Sequence, residues 1–149
     1  MHSEALWPGQ LHHRLLQHYK QFDTPSFHDL GKVLDNREAM LSVTHKALAD
    51  EAYGADNMEL WATVADALGD ADLAVIALRK ELEDAQGFKE GTMAQVPYYS
   101  FWVLPYSGVR SHPEFKKLLV EAGVVDYWRQ SGTWGDGCGP VGNQDFQCR

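Results

Sequence analysis

The chain has 149 residues, of which 44% are hydrophobic and 23% are charged, and this composition is ordinary for a single globular domain with a sizeable core. Its formal net charge of −8 and isoelectric point near 5.2 argue against direct nucleic-acid contact, because nucleic-acid binders carry a basic surface stripe. No apolar run reaches the roughly 18 residues of a membrane-spanning helix. The N-terminus, MHSEALWPGQ, lacks the charged and apolar regions of a secretory signal.

The first segment, residues 1–23, is predicted to be a lead-in followed by a capping helix, since its second half places apolar residues on one helical side. This region and the next contain six histidines, among them His13, His18, His28 and His45. The first two are five positions apart and the others fall in different helices, whereas metal-binding pairs on a helix lie at i and i+4. We therefore predict solvated or half-buried histidines, with no metal site and no cofactor.

Residues 24–91 are predicted to form two helical hairpins related by internal repetition. Residues 58–82 have the pattern of two amphipathic helices joined by a glycine–aspartate turn. A shift of 34 positions, from residue 58 back to residue 24, places residues 24–48 on them, with Phe27 under Trp61. A period of about 34 residues is typical of tetratricopeptide (TPR)-type arrays, in which each hairpin buries its apolar stripe against a neighbour.

These patterns predict an all-α fold of antiparallel helical hairpins, stacked as a short TPR-like superhelix with an irregular C-terminal tail and no sheet of consequence. Thr24 and Pro25 fit the start of the first helix. After a turn that ends in Asn36, the second helix is expected to run to about Ala52, and Gly54 is expected to close the repeat.

Residues 92–149 are predicted to form a degenerate helical pair and a glycine-rich tail within the same domain. The aromatic segment 98–106 would either be a binding platform, because aromatic residues dominate interface hot spots, or a short helix that seals the array, because such runs mostly supply buried area. We favour the sealing helix. Ser111 and Glu114 fit a capping box that opens the next helix, and Gly123 is expected to end it.

The C-terminal part of the chain resembles the end of bacterial TPR-containing regulators. The matching residues are Arg110, Pro113, Phe115, Gly123, the run Asp126-Tyr127-Trp128-Arg129, Cys138 and Cys148. In that family an array of this kind commonly follows a winged-helix DNA-binding domain or a nucleotide cyclase domain. The resemblance implies a TPR-like interaction or sensory region of a signalling or transcriptional regulator. The effector module is not in this sequence, so its activity is not carried over.

Cys138 and Cys148 are ten positions apart in the tail. A disulfide between them would stabilise the domain by roughly 2–3 kcal/mol in the chain-entropy model and would persist only in an oxidising compartment. Free thiols are the alternative. We favour the disulfide, which predicts an extracytoplasmic location, whereas free thiols would predict a cytoplasmic one. Tyr127 and Trp128 are expected to pack onto the last helix, with the tail wrapping the array.

The function that these features favour is a non-enzymatic binding module. The first helix of each hairpin is expected to line a groove, whose acidic residues would favour a basic peptide, a protein or a second copy of the chain. Ordinary solvated helix faces remain the alternative interpretation of these residues. The candidate partner-binding residues are Asp29, Glu59, Thr63, Asp66, Tyr98, Tyr99 and Trp102.

Two other functions are alternatives to this one. A sensor that binds an amine or another cationic molecule between helices has the same sequence features. A small enzyme that uses Cys138 or Asp136 with a histidine is the remote alternative, because the sequence has no glycine-rich phosphate loop, HExxH pair or nucleophile elbow. We therefore predict that the chain is not an enzyme.

Overall fold

The computed structural model describes residues 24–54, 58–86 and 107–149. In these ranges the chain forms eight helices and one two-stranded antiparallel sheet. The helices are α1 Pro25–Gly31, α2 Arg37–Ala49, α3 Glu51–Gly54, α4 Met58–Ala67, α5 Ala71–Gln86, α6 Ser107–Arg110, α7 Pro113–Glu121 and α8 Val124–Ser131, and the strands are β1 Cys138–Val141 and β2 Asp145–Cys148. The protein is mostly helical, as predicted, but the small sheet departs from the all-α prediction.

Side-chain caps determine where the first two helices begin. Thr24 Oγ1 accepts a hydrogen bond from the backbone N–H of Phe27 at 3.4 Å, and Pro25 follows the cap as the first helical residue. Asn36 Oδ1 accepts a hydrogen bond from the N–H of Ala39 at 3.0 Å and begins α2. Both oxygens satisfy amides that the first turn of a helix leaves unpaired. The predicted starts of α1 and α2 are therefore confirmed.

The second helix ends earlier than the predicted position near Ala52. Asp50 has extended backbone torsions, φ −125° and ψ 101°, and its carboxylate accepts a hydrogen bond from the N–H of Tyr53 at 3.2 Å. The aspartate therefore starts the short helix α3 instead of continuing α2. Gly54 ends α3 in close contact with Ala47, where an added Cβ atom would come within 2.1 Å of the Ala47 carbonyl oxygen.

Helices α4 and α5 form a hairpin whose turn is a Schellman motif. Gly69 has φ 76°, a conformation that glycine adopts at little cost. The N–H of Asp70 donates to the carbonyl of Ala65 at 2.9 Å, as this motif requires. The carboxylate of Asp70 then accepts a hydrogen bond from the N–H of Leu73 at 2.9 Å and begins α5. The predicted hairpin over residues 58–82 and its turn are confirmed.

One apolar core runs through the helices and joins the first hairpin, formed by α1, α2 and α3, to the hairpin of α4 and α5. Trp61 is fully buried and Phe27 is 6% exposed, so both aromatic residues aligned by the 34-residue shift lie in this core. The indole N–H of Trp61 donates to the carbonyl of Gly54 at 3.2 Å. The Nε atom of Arg37, in α2, donates to the carbonyl of Leu68 at 2.9 Å. These bonds attach the first hairpin to α4 near both ends of that helix.

His112, and not the predicted Ser111, caps α7. Pro113 occupies the first helical position, which suits its fixed φ and missing N–H, so the cap falls on the residue directly before it. The Nδ1 atom of His112 accepts a hydrogen bond from the N–H of Glu114 at 3.1 Å. The hydroxyl of Ser111 donates instead to the carbonyl of Gly108 at 3.3 Å. The predicted capping box is therefore wrong by one residue.

The glycine-rich tail contains a β-hairpin, whereas we predicted an irregular segment that wraps the array. Cys138 pairs with Cys148 and Val141 pairs with Asp145 across the two strands. Gly142, in the turn, has φ 61°, which suits a tight reversal. The two sulfur atoms lie 1.99 Å apart, at disulfide distance, as the predicted bond requires.

An aromatic cluster attaches this hairpin to α8. The ring centroid of Trp134 lies 5.4 Å from that of Trp128 and 6.0 Å from that of Phe146, and the latter two side chains are buried. Trp128 is buried as predicted. Tyr127 is 66% exposed, so its predicted packing is wrong, because adjacent positions on a helix are rotated by about 100° and Trp128 occupies the buried face.

Some predicted features lie outside the described residues. These are the lead-in and capping helix of residues 1–23, the inter-hairpin stretch 55–57 and the aromatic segment 98–106. Within the ranges that the structure describes, none of the helices has both the length and the apolar character needed to cross a membrane.

An acidic cleft as the candidate binding site

A cleft of about 200 Å³ opens where the end of the first hairpin meets the C-terminal half of α5. Three helices line it: Glu51 is the first residue of α3, Met58 is the first residue of α4, and Lys80, Glu83 and Asp84 lie on α5. The two acidic residues of α5 follow Lys80 by three and four positions, a spacing that places side chains on one helix face. Both hairpins therefore contribute to this cleft.

The break after α2 and a contact from α5 shape the cleft. Because Asp50 is extended, the chain leaves the axis of α2, and Glu51 lies in the first turn of a new helix. The ammonium group of Lys80 donates to the carbonyl of Leu48 near the end of α2. This contact holds the C-terminal half of α5 beside the end of α2 and so brings the carboxylates of both hairpins to one opening.

The lining has an excess of negative charge. Its cation, Lys80, is already bonded to a backbone carbonyl. Glu51, Glu83 and Asp84 are exposed, and none of them forms an ion pair with another residue in the described ranges. Glu83 makes a smaller Coulombic contribution to the raised pKa of Arg79, which is due mainly to the hydrogen bond from Arg79 to Glu121. Three carboxylates thus remain available to a cation from outside.

Met58 gives the cleft an apolar side next to these carboxylates, because its side chain is 4% exposed and lines the opening. The volume is smaller than the roughly 300–1,000 Å³ of sites for drug-sized ligands, so the cleft has room for one side chain or a small amine. Lysine and arginine suit such a site, since the alkyl stem packs on apolar surface while the charged end meets the carboxylates.

Asp29, the first predicted partner-binding residue, is part of an internal contact. Its carboxylate accepts hydrogen bonds from the hydroxyl of Tyr53 at 2.7 Å and from the ammonium of Lys32 at 3.0 Å. These bonds, the one from Tyr53 first, lower the pKa of Asp29. Burial, followed by the bond to the aspartate, raises the pKa of Tyr53 to about 12. The pair ties α1 to α3 and does not line the cleft.

The three predicted residues on α4 do not line the cleft either. Glu59 and Thr63 are half-buried, and the hydroxyl of Thr63 donates to the backbone carbonyl of Glu59 at 2.8 Å. Asp66 is only 4% exposed, so the prediction that it faces an open groove is wrong. The reason is that α4 is buried on nearly all sides between neighbouring helices. Tyr98, Tyr99 and Trp102 lie outside the described residues.

The histidines and the cysteines are the sequence's candidates for metal binding and for nucleophilic chemistry. His28 and His45 are exposed on α1 and α2, and His13 and His18 lie outside the described ranges. Among the residues that the structure describes, no three His, Cys, Asp or Glu side chains are grouped as metal ligands. The sulfur of Cys138 is bonded to that of Cys148, so it has no thiolate with which to act as a nucleophile in this state.

The sequence contained a partial signal for the cleft. The spacing of Glu83 and Asp84 after Lys80 places them on one helix face, but the arrival of Glu51 depends on the break at Asp50, which the helical pattern concealed.

Searches of protein-family models, of curated proteins and of solved structures found no match for the chain.

Proposed function

We propose that this chain is a non-enzymatic, TPR-like interaction module that binds a cationic segment of a protein or peptide at the acidic cleft. The observation that carries the proposal is the composition of the cleft: three exposed carboxylates and an apolar methionine line it, and the cation in the lining is bonded to a carbonyl. An ammonium or guanidinium group on an alkyl stem complements both features.

The surrounding structure supports binding without large rearrangement. The side chain of Trp61 is bonded to Gly54, and that of Arg37 to Leu68, so the hairpins are attached to each other at fixed backbone atoms. Preorganised sites lose less conformational freedom when a ligand binds. The exposed carboxylates would act mainly on selectivity and association rate, and their effect should weaken as salt screens them.

The binding test compares two peptides and two protein variants. A short peptide with a central lysine, labelled with a fluorophore, is titrated against the full chain, and the same peptide with acetyl-lysine is the ligand control. In the double variant Glu83→Gln, Asp84→Asn we expect binding to weaken about fivefold to thirtyfold, since each exposed ion pair contributes up to ~1 kcal/mol. Glu38→Gln, an exposed change at the start of α2, is the matched control and should bind as the unmodified chain does.

Equal binding of the lysine and acetyl-lysine peptides, or equal binding by the cleft variant and the control variant, would remove the cleft from this proposal. Binding that does not decrease when salt is raised would also contradict it, because exposed charges are screened beyond about 10 Å at 0.1 M salt.

A second candidate function, a sensor of small amines, is favoured by the cleft volume of about 200 Å³. A free alkylamine would fill such a space without a peptide backbone. The same titration separates the two functions. Competition by n-butylamine at concentrations similar to those of the lysine peptide would support the sensor, whereas competition that requires a large excess would support peptide recognition.

A second copy of the chain is one protein partner that this proposal includes. Among the residues that the structure describes, four large apolar side chains are exposed by 45–66%: Ile76, Val120, Tyr127 and Val141. Exposed apolar residues contribute to many self-association surfaces. We propose a weak homo-oligomer, which sedimentation velocity over a wide concentration range tests. A single monomeric species at every concentration would contradict it.

The proposal also includes the role of the chain in a larger system. Its resemblance to bacterial TPR-containing regulators supports a sensory or interaction role in signalling. The disulfide-distance pair Cys138 and Cys148 supports an extracytoplasmic location, because thiols are kept reduced in most cytoplasms.

A further inference from the structure

His112 lies where three elements meet, and both of its ring nitrogens are bonded. Its Nδ1 atom accepts a hydrogen bond from the backbone N–H of Glu114 at 3.1 Å and caps α7. Its Nε2 atom lies 2.7 Å from Oδ1 of Asp72, on α5. The imidazole is 18% exposed, whereas the side chain of Asp72 is 88% exposed. The ring therefore joins the start of α7 to the start of α5.

These two contacts determine the tautomer. A backbone N–H can only donate, so Nδ1 must accept and carry no proton. The single proton of the neutral ring is then on Nε2, which donates to the carboxylate of Asp72. An imidazolium ring carries protons on both nitrogens. It would keep the bond to Asp72 but would point an N–H at the N–H of Glu114, and that arrangement is repulsive.

We propose that His112 is a pH-sensitive helix cap, which holds the first turn of α7 while its ring is neutral and releases the Glu114 amide when the ring is protonated. The contact with Asp72 persists in both states and gains charge on protonation. Acidification would therefore loosen the start of α7 without detaching the ring from α5. Histidine is the side chain whose charge commonly changes between pH 5 and 8.

Other charged side chains lie on the elements that meet at this junction. The described elements packed here carry Asp72 and Arg79 on α5, Arg110 on α6, and Glu114 and Lys117 on α7. Hydrogen bonding from Lys117, with a further contribution from Arg79, lowers the pKa of the Glu114 carboxylate. That carboxylate is therefore already ionised in the pH range in which histidines titrate. Changes at the backbone amide of Glu114 in this range then report on the imidazole and not on the glutamate side chain.

Nuclear magnetic resonance of the ¹⁵N-labelled full chain tests this cap. At neutral pH we expect Nδ1 of His112 to have the nitrogen shift of an unprotonated ring atom. As pH falls and the ring is protonated, the solvent-exchange rate of the Glu114 amide should rise about fivefold after correction for its intrinsic pH dependence. A fivefold change corresponds to the ~1 kcal/mol that a lost helix cap costs. The matched control is the amide of Ala39, which is capped by the non-titrating side chain of Asn36 and should not follow this transition.

Two variants separate the cap from general acid effects. His112→Asn keeps a good capping side chain that does not titrate, so the Glu114 amide should lose its pH response while α7 remains capped. Asp72→Asn keeps the imidazole cap, so the response should persist. A proton on Nδ1 at neutral pH, a Glu114 amide indifferent to ring protonation, or an unchanged response in His112→Asn would each overturn the proposal.

Discussion

Truncation of Trp61 to alanine tests whether the two hairpins share the core described above. The side chain is fully buried and its indole N–H donates to the carbonyl of Gly54 at 3.2 Å. A buried tryptophan removes about 150–250 Å² from water, which corresponds to about 4–6 kcal/mol at ~25 cal/mol per Å². Measured tryptophan-to-alanine changes in cores are about 3–5 kcal/mol. We expect a loss of about 4 kcal/mol in the free energy of unfolding.

Urea denaturation followed by far-ultraviolet circular dichroism measures this loss. Since whole domains are stable by only about 5–15 kcal/mol, Trp61→Ala will leave little stability, and Trp61→Phe serves as a milder variant. Phenylalanine retains most of the apolar area but leaves the Gly54 carbonyl without its indole donor, at a cost of about 1–3 kcal/mol. Phe27→Ala probes the repeat-equivalent position. A loss below about 1 kcal/mol for Trp61→Ala would mean that the residue is not a core position and that the repeat alignment is wrong.

Three further predictions concern single contacts. Gly54→Ala should lower the free energy of unfolding by about 1–3 kcal/mol, because the new Cβ would lie 2.1 Å from the Ala47 carbonyl oxygen. Gly139→Ala, where a Cβ meets nothing within 4 Å, should change it little. Equal effects of the two substitutions in urea denaturation would contradict this contact. Reduction of the disulfide between Cys138 and Cys148 should lower the free energy of unfolding by about 2–3 kcal/mol and alter tryptophan fluorescence. Thiol titration of unfolded, unreduced protein should find no free thiol, and two free thiols per chain would show that the bond is absent. The pKa of Tyr53 is raised to about 12, whereas the pKa of a tyrosine in an unfolded chain is near 10. The stabilising contribution of Tyr53 is therefore complete below pH ~10 and is lost as pH rises towards about 12. Alkaline denaturation that is identical in Tyr53→Phe would contradict this.

The features that could be predicted from sequence are those set by neighbouring residues. Gly69 and Asp70 combine a left-handed turn with a helix cap, and both signals lie within a few positions of each other. The same holds for Thr24 at the start of α1. Apolar spacing also placed Trp61 and Phe27 in the core, because burial of a helix stripe follows directly from the helical period.

The features that could not be predicted depend on residues distant in sequence. Asp50 and Glu51 continue a helical pattern, and only the fold shows that the aspartate caps a new helix. The cap at His112 is supported by Asp72, forty positions away, and local sequence favoured Ser111. The strands CGPV and DFQC have only four residues each, too short for a clear alternation of apolar and polar residues.

The partner-binding residues predicted on the described helices, Asp29, Glu59, Thr63 and Asp66, do not line the acidic cleft. The prediction relied on the usual placement of the first helix in each TPR hairpin, which assigned an open groove to α4, whereas Asp66 on that helix is buried. The accessible carboxylates that line the cleft, Glu51, Glu83 and Asp84, lie at or near the ends of helices. These positions lie where the hairpins meet, and their proximity depends on how far one hairpin is displaced along the other.

The position of one hairpin along the other is set by side chains that donate hydrogen bonds to backbone carbonyls at helix ends. The last carbonyls of a helix have no partner within it. Here Leu48, Gly54 and Leu68, each at or near the end of a helix, accept hydrogen bonds from side chains of the other hairpin. The donors are a lysine, a tryptophan and an arginine, and cations are favourable near the negative end of a helix dipole. Because Lys80 is one of them, the bond that positions α5 also commits the positive charge in the cleft to a backbone carbonyl. The packing of the hairpins and the negative charge of the proposed binding site therefore have a common physical origin.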